Sequence, residues 1–577
     1  MAEEQLVVTS SPKKKIGFFS AILVVLGGSI GVGIFLRAKS VLENSAGNII
    51  WALAIWLIAG FAVIALALAL VEVASGRNDN LGMIGWSKAF NTLYIYKANK
   101  FFMTYLYLPF TYFFMPYYVI VQFQDGLSGF DVDTTFGGST AAPWLYFLIG
   151  LVLTVWILLS AGLSSKAGNI QNWIVTAFKF IPLVAIVVVG IYFAATRNTA
   201  PDADGPFLKP ITRGELFDAR STSFLGLSPF LLVFSSIGGI FFAFDGFYVS
   251  AGIQSEMKNP EKTPAALVIG LLSMTILYMF IAAAMTLGAK SGGFYDYGAK
   301  LKDLKLGWIF GLINIFISIG VIGILNAFTM WATRWVEDLI REGEMFVPAR
   351  AYRYLKNSKY PVVGMLFCFL LSLPLMIIFT AIGAYAYIGS GYDPIYGYKI
   401  NNLLTFADLM ANWMAVFAFA FIAIAVLGAI QNRKKHFIAV KENKHTIWAG
   451  YTSVIIVLSV LILLMIDPFI SIGLSAAEHS RLIAAKAKEA DIQGARDSLI
   501  GNSATAALFV IFVVIMFLST YIEKVIADRN KVKYDRVLSG KICECEIENW
   551  CPCKLALLKE SAELNDLVLK TYAEARR

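Results

Sequence analysis

The sequence has few charged residues, few cysteines and almost no histidine. Of its 577 residues, 15% are charged, five are cysteines and three are histidines, and the histidines (His436, His445 and His479) fall in predicted loops. The chain contains no P-loop, H-E-x-x-H, nucleophile-elbow or dinucleotide-binding motif. ATP-driven and hydrolytic chemistry therefore have no support, and we expect neither catalytic residues nor a cofactor.

Apolar sequence is abundant instead. Hydrophobic residues make up 58% of the chain, against about 45–50% in soluble domains. Repeated apolar runs are each long enough to cross a bilayer core of about 30 Å. We predict an all-α membrane protein with about twelve spans, at 16–36, 48–71, 101–123, 143–160, 170–194, 228–251, 265–288, 308–331, 361–382, 403–428, 447–470 and 504–526.

The basic residues predict the orientation. If both termini are cytoplasmic, roughly 32 lysines and arginines fall inside and roughly 15 outside, which is the bias expected of a membrane protein. We predict a multi-pass protein of the cell membrane with both termini in the cytoplasm. The net charge of +9 follows from this bias, and no basic–aromatic pattern indicates nucleic-acid binding.

Charge and hydropathy divide the chain into four parts. We predict a surface helix in the outer loop at about 473–503, from its helical periodicity. The predicted parts are a cytoplasmic N-terminal tail (1–15), a ten-span core (16–430, with halves 16–194 and 228–428), a peripheral pair of spans 11 and 12 (446–526) and a cytoplasmic tail (527–577).

Spans 1 and 6 are interrupted by glycine. The first interruption reads Gly28-Ser29-Ile30-Gly31-Val32-Gly33 and the second reads Phe242-Ala243-Phe244-Asp245-Gly246. Each glycine weakens a helix by about 1 kcal/mol relative to alanine, and irregular backbone at membrane depth persists only inside protein or beside a wet cavity. Matching interruptions in two halves of a chain indicate a transporter's binding site.

The interruptions also predict which groups bind there. A half-helix that starts near Ile34 presents unpaired N–H groups and a partial positive charge, which suit a carboxylate. The half-helix that ends near Ser29 presents carbonyls, which suit an ammonium group. Together they fit an α-amino acid, and all residues of both interruptions are candidate binding residues. The alternative is close helix packing through Gly27, Gly31 and Gly239.

Both interrupted segments resemble a known family. Gly28–Phe35 is similar to the G-x-x-I-G-x-G-I-F signature of permeases in the amino acid–polyamine–organocation (APC) superfamily, and Phe241–Phe247 with Glu256–Lys262 resembles a second motif of that family. The resemblance covers about 16–430. It implies a LeuT-type fold with a 5+5 inverted repeat, and uptake or exchange of amino acids by alternating access. It also implies that Phe242 closes over bound substrate.

Lys179 is a charged residue deep within span 5. A lysine at the centre of a membrane helix costs about 2.5–3.5 kcal/mol, so it needs a use or a partner. Because a buried amine releases its proton more readily, and because the position matches a lysine of many family members, Lys179 is the candidate for proton coupling. The alternative is snorkelling to the cytoplasmic edge.

Other polar residues have less specific interpretations. Asp245 can contact a substrate amine, bind a proton or cap a half-helix. Ser318 and Asn326 are candidates for contact with span 1, and Tyr105, Tyr107 and Tyr112 of span 3 can line the pocket or serve in packing. In the tail, Cys543, Cys545, Cys551 and Cys553 are a possible zinc site, although C-x-C is a poorer match than C-x₂-C; reduced or palmitoylated thiols are the alternative.

The leading hypothesis is a secondary amino acid transporter, either proton-coupled or exchanging. A polyamine or organic-cation exchanger of the same fold is one alternative. A membrane sensor that transports nothing and signals through its cysteine-containing tail is another.

Overall fold

The protein is an all-helical membrane protein. The computed structural model describes residues 17–29, 33–45, 48–77, 81–196, 230–248, 258–259, 262–288, 294–341, 344–345, 360–388 and 396–538. Within these ranges the elements are helices joined by turns, and no residue is in a β-strand. Nine of the described helices are long and apolar enough to cross a membrane, and shorter helices build the first, third and sixth spans. The predicted fold class is confirmed.

The helices follow the predicted spans in order. Span 1 consists of Phe18–Ser29 and Gly33–Asn44, span 2 is Ile49–Gly76, span 3 is Leu93–Ser128, span 4 is Ala142–Gly162, span 5 is Ser165–Thr196 and span 6 is described as Phe230–Phe244. Span 7 is Thr263–Gly288, span 8 is Gly307–Arg341, span 9 is Val362–Ala386, span 10 is Ile400–Lys435, span 11 is Thr446–Ala484 and span 12 is Glu489–Leu538. Two short helices, Met83–Phe90 and Phe294–Asp303, lie between spans.

Span 2 shows how a helix end is specified locally. Asn48 has extended backbone angles, and its side-chain oxygen accepts hydrogen bonds from the N–H groups of Ile50 and Trp51. These two donors have no partner within the helix, so the cap satisfies them at the membrane edge. Span 2 therefore begins where the apolar run begins.

Span 3 is helical but not uniform. Its first helix, Leu93–Phe101, passes through a π-helical segment, Phe102–Tyr107, into Leu108–Ser128. Pro109 lies just after this segment and Pro116 lies inside the helix that follows, and each removes one backbone donor. A π-helical turn widens the helix and changes the direction of its side chains. Tyr107, at the end of the turn, faces the interruption of span 6, as described below.

Spans 3 and 8 pass very close to each other. A methyl group added to Gly129 would lie 2.4 Å from the backbone nitrogen of Gly311, and one added to Gly126 would lie 2.8 Å from the side chain of Ile315. Only residues without a side chain allow this approach. The contact holds the span 3 tyrosines against the helix that carries Ser318 and Asn326.

The surface helix predicted at about 473–503 is not a separate element. Its first part continues span 11 to Ala484 and its second part begins span 12 at Glu489. Span 11 has 39 residues, a length of about 58 Å at 1.5 Å per residue, which is nearly twice the thickness of a bilayer core. The sequence at 473–503 has helical periodicity because spans 11 and 12 both continue as helices beyond the thickness of the bilayer core.

The spans differ in how deeply they lie in the protein. In span 10, 89% of the apolar window is buried, against 17% in span 11 and 28% in span 12. Span 10 is therefore at the centre of the bundle, and spans 11 and 12 lie at its edge.

Candidate functional site

The first interruption separates the two helices of span 1. Gly28 and Ser29 are the last residues of the helix Phe18–Ser29, and Gly33 is the first residue of the helix Gly33–Asn44. Ile30, Gly31 and Val32 lie outside the described residues. The second helix begins without an acidic residue in its first turn, so no side-chain carboxylate of that turn occupies its N-terminal N–H groups.

The second interruption is a turn at the end of the described helix of span 6. The helix ends at Phe244, and Asp245 and Gly246 form a turn before helical residues resume at Phe247. Gly246 has a φ of +93°, which residues with a side chain rarely adopt. Its N–H group donates a 3.0 Å hydrogen bond to Oδ1 of Asp245, which stabilises the turn.

The two interruptions meet. A methyl group on Gly33 would lie 2.5 Å from Cα of Ala243 and 3.1 Å from its backbone nitrogen. The start of the second half of span 1 therefore lies against the backbone of span 6 next to its turn. Two ends with incomplete backbone hydrogen bonding face one another, as the glycine patterns predict.

Phe244 and the carbonyl of Ala243 are held by span 7. The Tyr278 hydroxyl donates a 3.1 Å hydrogen bond to the Ala243 carbonyl, and the Phe244 ring packs edge-on against Tyr278 with ring centres 5.3 Å apart. Phe244 is fully buried. Of the span 6 candidates, this residue contributes to packing of the interruption against span 7.

Asp245 joins span 6 to span 3. The Tyr107 hydroxyl donates a 2.6 Å hydrogen bond to Oδ2 of Asp245, and the Tyr248 hydroxyl lies 3.2 Å from that of Tyr107. The other carboxylate oxygen accepts from Gly246, the next residue in the chain. This differs from a standard helix cap, in which the side chain accepts from a residue two or three positions later.

Phe242 belongs to a group of residues from four spans, which we call the outer closure after the predicted orientation of the chain: Arg37, Tyr118, Phe242 and Asp408. The Arg37 guanidinium lies over the Phe242 ring at 5.3 Å and forms a 3.2 Å ion pair with Asp408 of span 10. The Tyr118 hydroxyl donates to the same Asp408 oxygen, and the Tyr118 and Phe242 rings are 5.7 Å apart. One ion pair and two aromatic rings thus tie spans 1, 3, 6 and 10 together.

Comparison with known proteins assigns the family. A family described as "Amino acid permease" matches residues 16–484. The chain belongs to the amino acid permease family. This permease is a multi-pass membrane protein of the APC superfamily, whose members are secondary transporters.

Three similar proteins illustrate the range of the permease's relatives. A protein of unassigned function from Mycoplasma pneumoniae is 40% identical over 89% of this chain and 94% of its own length. The serine/threonine exchanger SteT of Bacillus subtilis is 25% identical over 54% of this chain and 65% of its own length. A manganese transporter of Eremococcus coleocola, solved as a mutant, has a TM-score of 0.47 at 12% identity, covering 89% of this chain and 99% of that one.

Lys179 of the permease is buried between spans 5 and 8. It is 4% exposed, and methyl groups added to Gly320 and Gly323 would lie 3.5 and 3.4 Å from its side chain. The two glycines of span 8 leave room for the lysine stem. Its burial disfavours the snorkelling alternative, whereas its role in proton coupling stays a prediction.

Two weaker candidates contact different spans from those expected. Ser318 donates a 3.0 Å hydrogen bond to the Val119 carbonyl in span 3, and Asn326 donates a 2.9 Å bond to the Gly168 carbonyl in span 5. Neither of these two bonds reaches span 1, and contact of these residues with span 1 stays a prediction. Both hydrogen bonds link span 8 to a neighbouring span.

Arg37 and Asp408 are the residues that sequence reasoning missed. Arg37 follows the predicted end of span 1 at 36, whereas the second helix of span 1 runs to Asn44. Asp408 is an isolated acid inside span 10, and the rule that marked Lys179 applies equally to it. The four tail cysteines predicted as a possible zinc site, Cys543, Cys545, Cys551 and Cys553, lie outside the described residues.

Proposed function

We propose that the permease carries an α-amino acid by alternating access and holds it between the interruptions of spans 1 and 6. The observation that carries this proposal is the approach of Gly33 to the Ala243 backbone. It places the N-terminal N–H groups of one half-helix beside the turn of another span. A carboxylate is the natural ligand of such an end, and carbonyls at the end of Phe18–Ser29 suit the ammonium group.

The outer closure supports a gating role for Phe242. Its ring lies beneath the Arg37 guanidinium and beside Tyr118, so substrate that enters from the predicted outer side has to displace this group. The ion pair with Asp408 links the closure to span 10. We propose that breaking the ion pair opens the outer side, and that the substrate restores it by packing against Phe242.

Proton coupling or exchange is the finer part of the proposal. SteT, a relative described as a serine/threonine exchanger, supports exchange. The buried Lys179 supports proton coupling, because an ammonium group beside span 8 changes its interactions when it loses its proton. We propose that Lys179 is the coupling residue and that both termini are cytoplasmic.

The amine alternative has less support at this site. Asp245, the acid of the interruption, already accepts hydrogen bonds on both of its oxygens, and Asp408 is paired with Arg37. A polyamine needs several carboxylates, whereas a helix N-terminus favours an anionic group. The arrangement therefore favours an amino acid.

Transport in proteoliposomes tests the function. Purified protein is first screened by thermal unfolding against the twenty amino acids and common polyamines, since a ligand that binds only the folded state stabilises it. Stabilising compounds are then tested for uptake driven by a pH gradient and for exchange against internal substrate. Amino acid uptake or exchange supports the proposal, and transport of polyamines alone contradicts it. Protein that lacks the tail from 527 onward should still transport, which contradicts the sensor alternative.

A further inference from the structure

A second cavity lies between the core and the peripheral spans. Its volume is about 300 Å³, and span 6, span 10, span 11 and span 12 all contribute to its wall. None of the candidate binding residues at the interruptions lines it. The volume is at the lower end of the range for small-molecule sites and equals the liquid volume of about ten water molecules.

The charge of this cavity has one sign. Among the described residues that line it, Asp467 of span 11 is acidic and none is basic. Asp467 remains exposed, and no described lysine, arginine or histidine forms an ion pair with it. An isolated acid within a largely apolar helix is costly to keep unless it has a function. A ligand with a carboxylate finds no partner here, whereas a cation does.

Two further acceptors lie at the same level. The Oδ1 atom of Asn412 is buried, and within the described part of the chain no group donates a hydrogen bond to it. Pro468 has no N–H group, so the carbonyl of Leu464, four residues earlier, lacks its helical donor. Both residues line the cavity together with Asp467. A ligand that supplies several hydrogen-bond donors satisfies all three.

Aromatic side chains complete the wall. Trp413 of span 10 and Tyr387, just after span 9, line the cavity. Indole and phenol rings attract organic cations through the negative potential of their faces. A carboxylate, free acceptors and aromatic rings, with no base, are the groups that recognise an alkylammonium ion.

We propose that this cavity binds an organic ammonium group between the transport core and spans 11 and 12. The group can belong to a small free amine or to the headgroup of a membrane lipid, since the recognising chemistry is the same. Among the described residues of the wall, no base pairs with the carboxylate of a zwitterionic amino acid. This site is separate from the one proposed for the transported substrate.

The test measures thermal unfolding of the purified full-length protein with ethanolamine and with putrescine, two primary amines whose ammonium groups donate hydrogen bonds. We expect a saturable rise in the melting temperature with both amines, and none with 1,4-butanediol, the uncharged analogue of putrescine. Asp467→Asn should weaken amine binding by about 10- to 100-fold. Asp491→Asn, which makes the same charge change at an exposed position of the same hairpin, should leave amine binding unchanged.

A second variant distinguishes loss of amine binding from misfolding. Asn412→Leu removes the unpaired buried oxygen and keeps a similar volume, so the melting temperature without ligand should hold or rise while amine binding falls. Amine binding that persists in Asp245→Asn places the response outside the interruption of span 6. Loss in Asp245→Asn together with retention in Asp467→Asn overturns the proposal without affecting the proposed transport function.

Two further arms identify the source of the ammonium group. Stabilisation by phosphatidylethanolamine-containing nanodiscs over phosphatidylglycerol nanodiscs that depends on Asp467, without a response to free ethanolamine, assigns it to a lipid headgroup. A response to free amines assigns it to a soluble ligand. An equal response to sodium chloride at the same concentration overturns the proposal, because the cavity then recognises only charge.

Discussion

Arg37 and Asp408 form a 3.2 Å ion pair across 371 positions of the chain, with 9% and 17% of their side chains exposed. The pair lies beside the Phe242 ring and shares Asp408 with the Tyr118 hydroxyl. Removing one partner leaves the other charge partly buried and unpaired, which usually costs more than the pair contributes. We expect Asp408→Asn to reduce amino acid uptake in proteoliposomes about tenfold or more.

A double variant tests whether the two charges act through their pairing. Arg37→Gln combined with Asp408→Asn should lose less than the sum of the two single losses, because neither charge is left alone. Asp131 pairs with Lys302 at 3.5 Å on the surface, with 87% of its side chain exposed. Such pairs contribute about 0–1 kcal/mol, so Asp131→Asn should transport normally. Normal uptake by Asp408→Asn would show that the outer closure does not gate.

Gly33→Ala tests the meeting of the two interruptions. The new methyl group would lie 2.5 Å from the Ala243 Cα, so the backbone of one span has to move. We expect loss of substrate-induced thermal stabilisation and of uptake. Adding Ala243→Gly should not restore either, because the Ala243 Cα and backbone nitrogen remain in place.

Gly473→Ala is the matched control for Gly33→Ala. Gly473 lies within the helix of span 11, and no atom lies within 4 Å of its added methyl group. Alanine favours a helix over glycine by about 1 kcal/mol. This variant should transport normally and melt at the same or a higher temperature. Equal behaviour of both variants would argue against close contact at Gly33.

The interruptions were predictable because their signal is local. Four glycines within seven residues and an Asp-Gly pair are unusual in apolar spans, and each directly weakens the helix that contains it. The Arg37–Asp408 pair was not predictable in the same way, because Arg37 follows the predicted end of span 1 and Asp408 alone, as an isolated acid in span 10, does not indicate its partner. Their pairing depends on how span 1 and span 10 pack.

The ends of spans 11 and 12 show a second limit of sequence reasoning. Helical periodicity over 473–503 is the same whether the residues form a separate helix or continue the neighbouring ones. The expected thickness of the bilayer favoured the separate helix. In the structure, Thr446–Ala484 and Glu489–Leu538 simply extend beyond that thickness.

Tyr107→Phe tests the role of Asp245. The hydroxyl that donates to Asp245 at 2.6 Å is lost, and hydrogen bonds to charged groups contribute about 1.5–3 kcal/mol. We expect substrate affinity, measured by isothermal titration, to fall about 10- to 100-fold. Tyr248→Phe removes a hydroxyl that lies 3.2 Å from that of Tyr107, and its effect should be smaller. Equal substrate affinities in the parent protein, Tyr107→Phe and Tyr248→Phe would show that Asp245 has only a structural role.

Glu344 predicts a pH dependence of stability. It lies just beyond span 8 and is contacted by Lys97 at 2.5 Å, Lys100 at 3.1 Å and Lys88 at 3.3 Å. Burial alone would raise the pKa of Glu344, but the three lysines hold that pKa well below its ordinary value of 4.5. A lowered pKa stabilises the fold above the unfolded-state value and loses this contribution as the pH falls.

Glu344→Gln should therefore lower the melting temperature at neutral pH, because three lysines lose a buried counter-charge. Breaking such a contact typically costs about 3–5 kcal/mol. The difference from the parent protein should shrink as the pH falls below 4.5, because the unfolded chain then takes up a proton at Glu344 that the folded protein, with its lowered pKa, does not bind. Glu478→Gln, which removes an exposed partner of Arg481, should show little change at any pH. A constant difference in melting temperature between Glu344→Gln and the parent protein across the pH range would contradict the lowered pKa of Glu344.

Lys179→Met tests proton coupling while it keeps a side chain of similar length at this position. Methionine replaces the lysine stem with a chain of similar length, so contacts with Gly320 and Gly323 persist while the titratable amine is lost. The variant should fold, bind substrate and exchange it across the membrane, since exchange needs no net proton movement. Uptake driven by a pH gradient should fall to the level of a gradient-free control. Exchange and gradient-driven uptake are measured in the same vesicles. Retention of both activities would show that Lys179 does not couple protons. Loss of both would show that Lys179 is needed for the transport cycle itself.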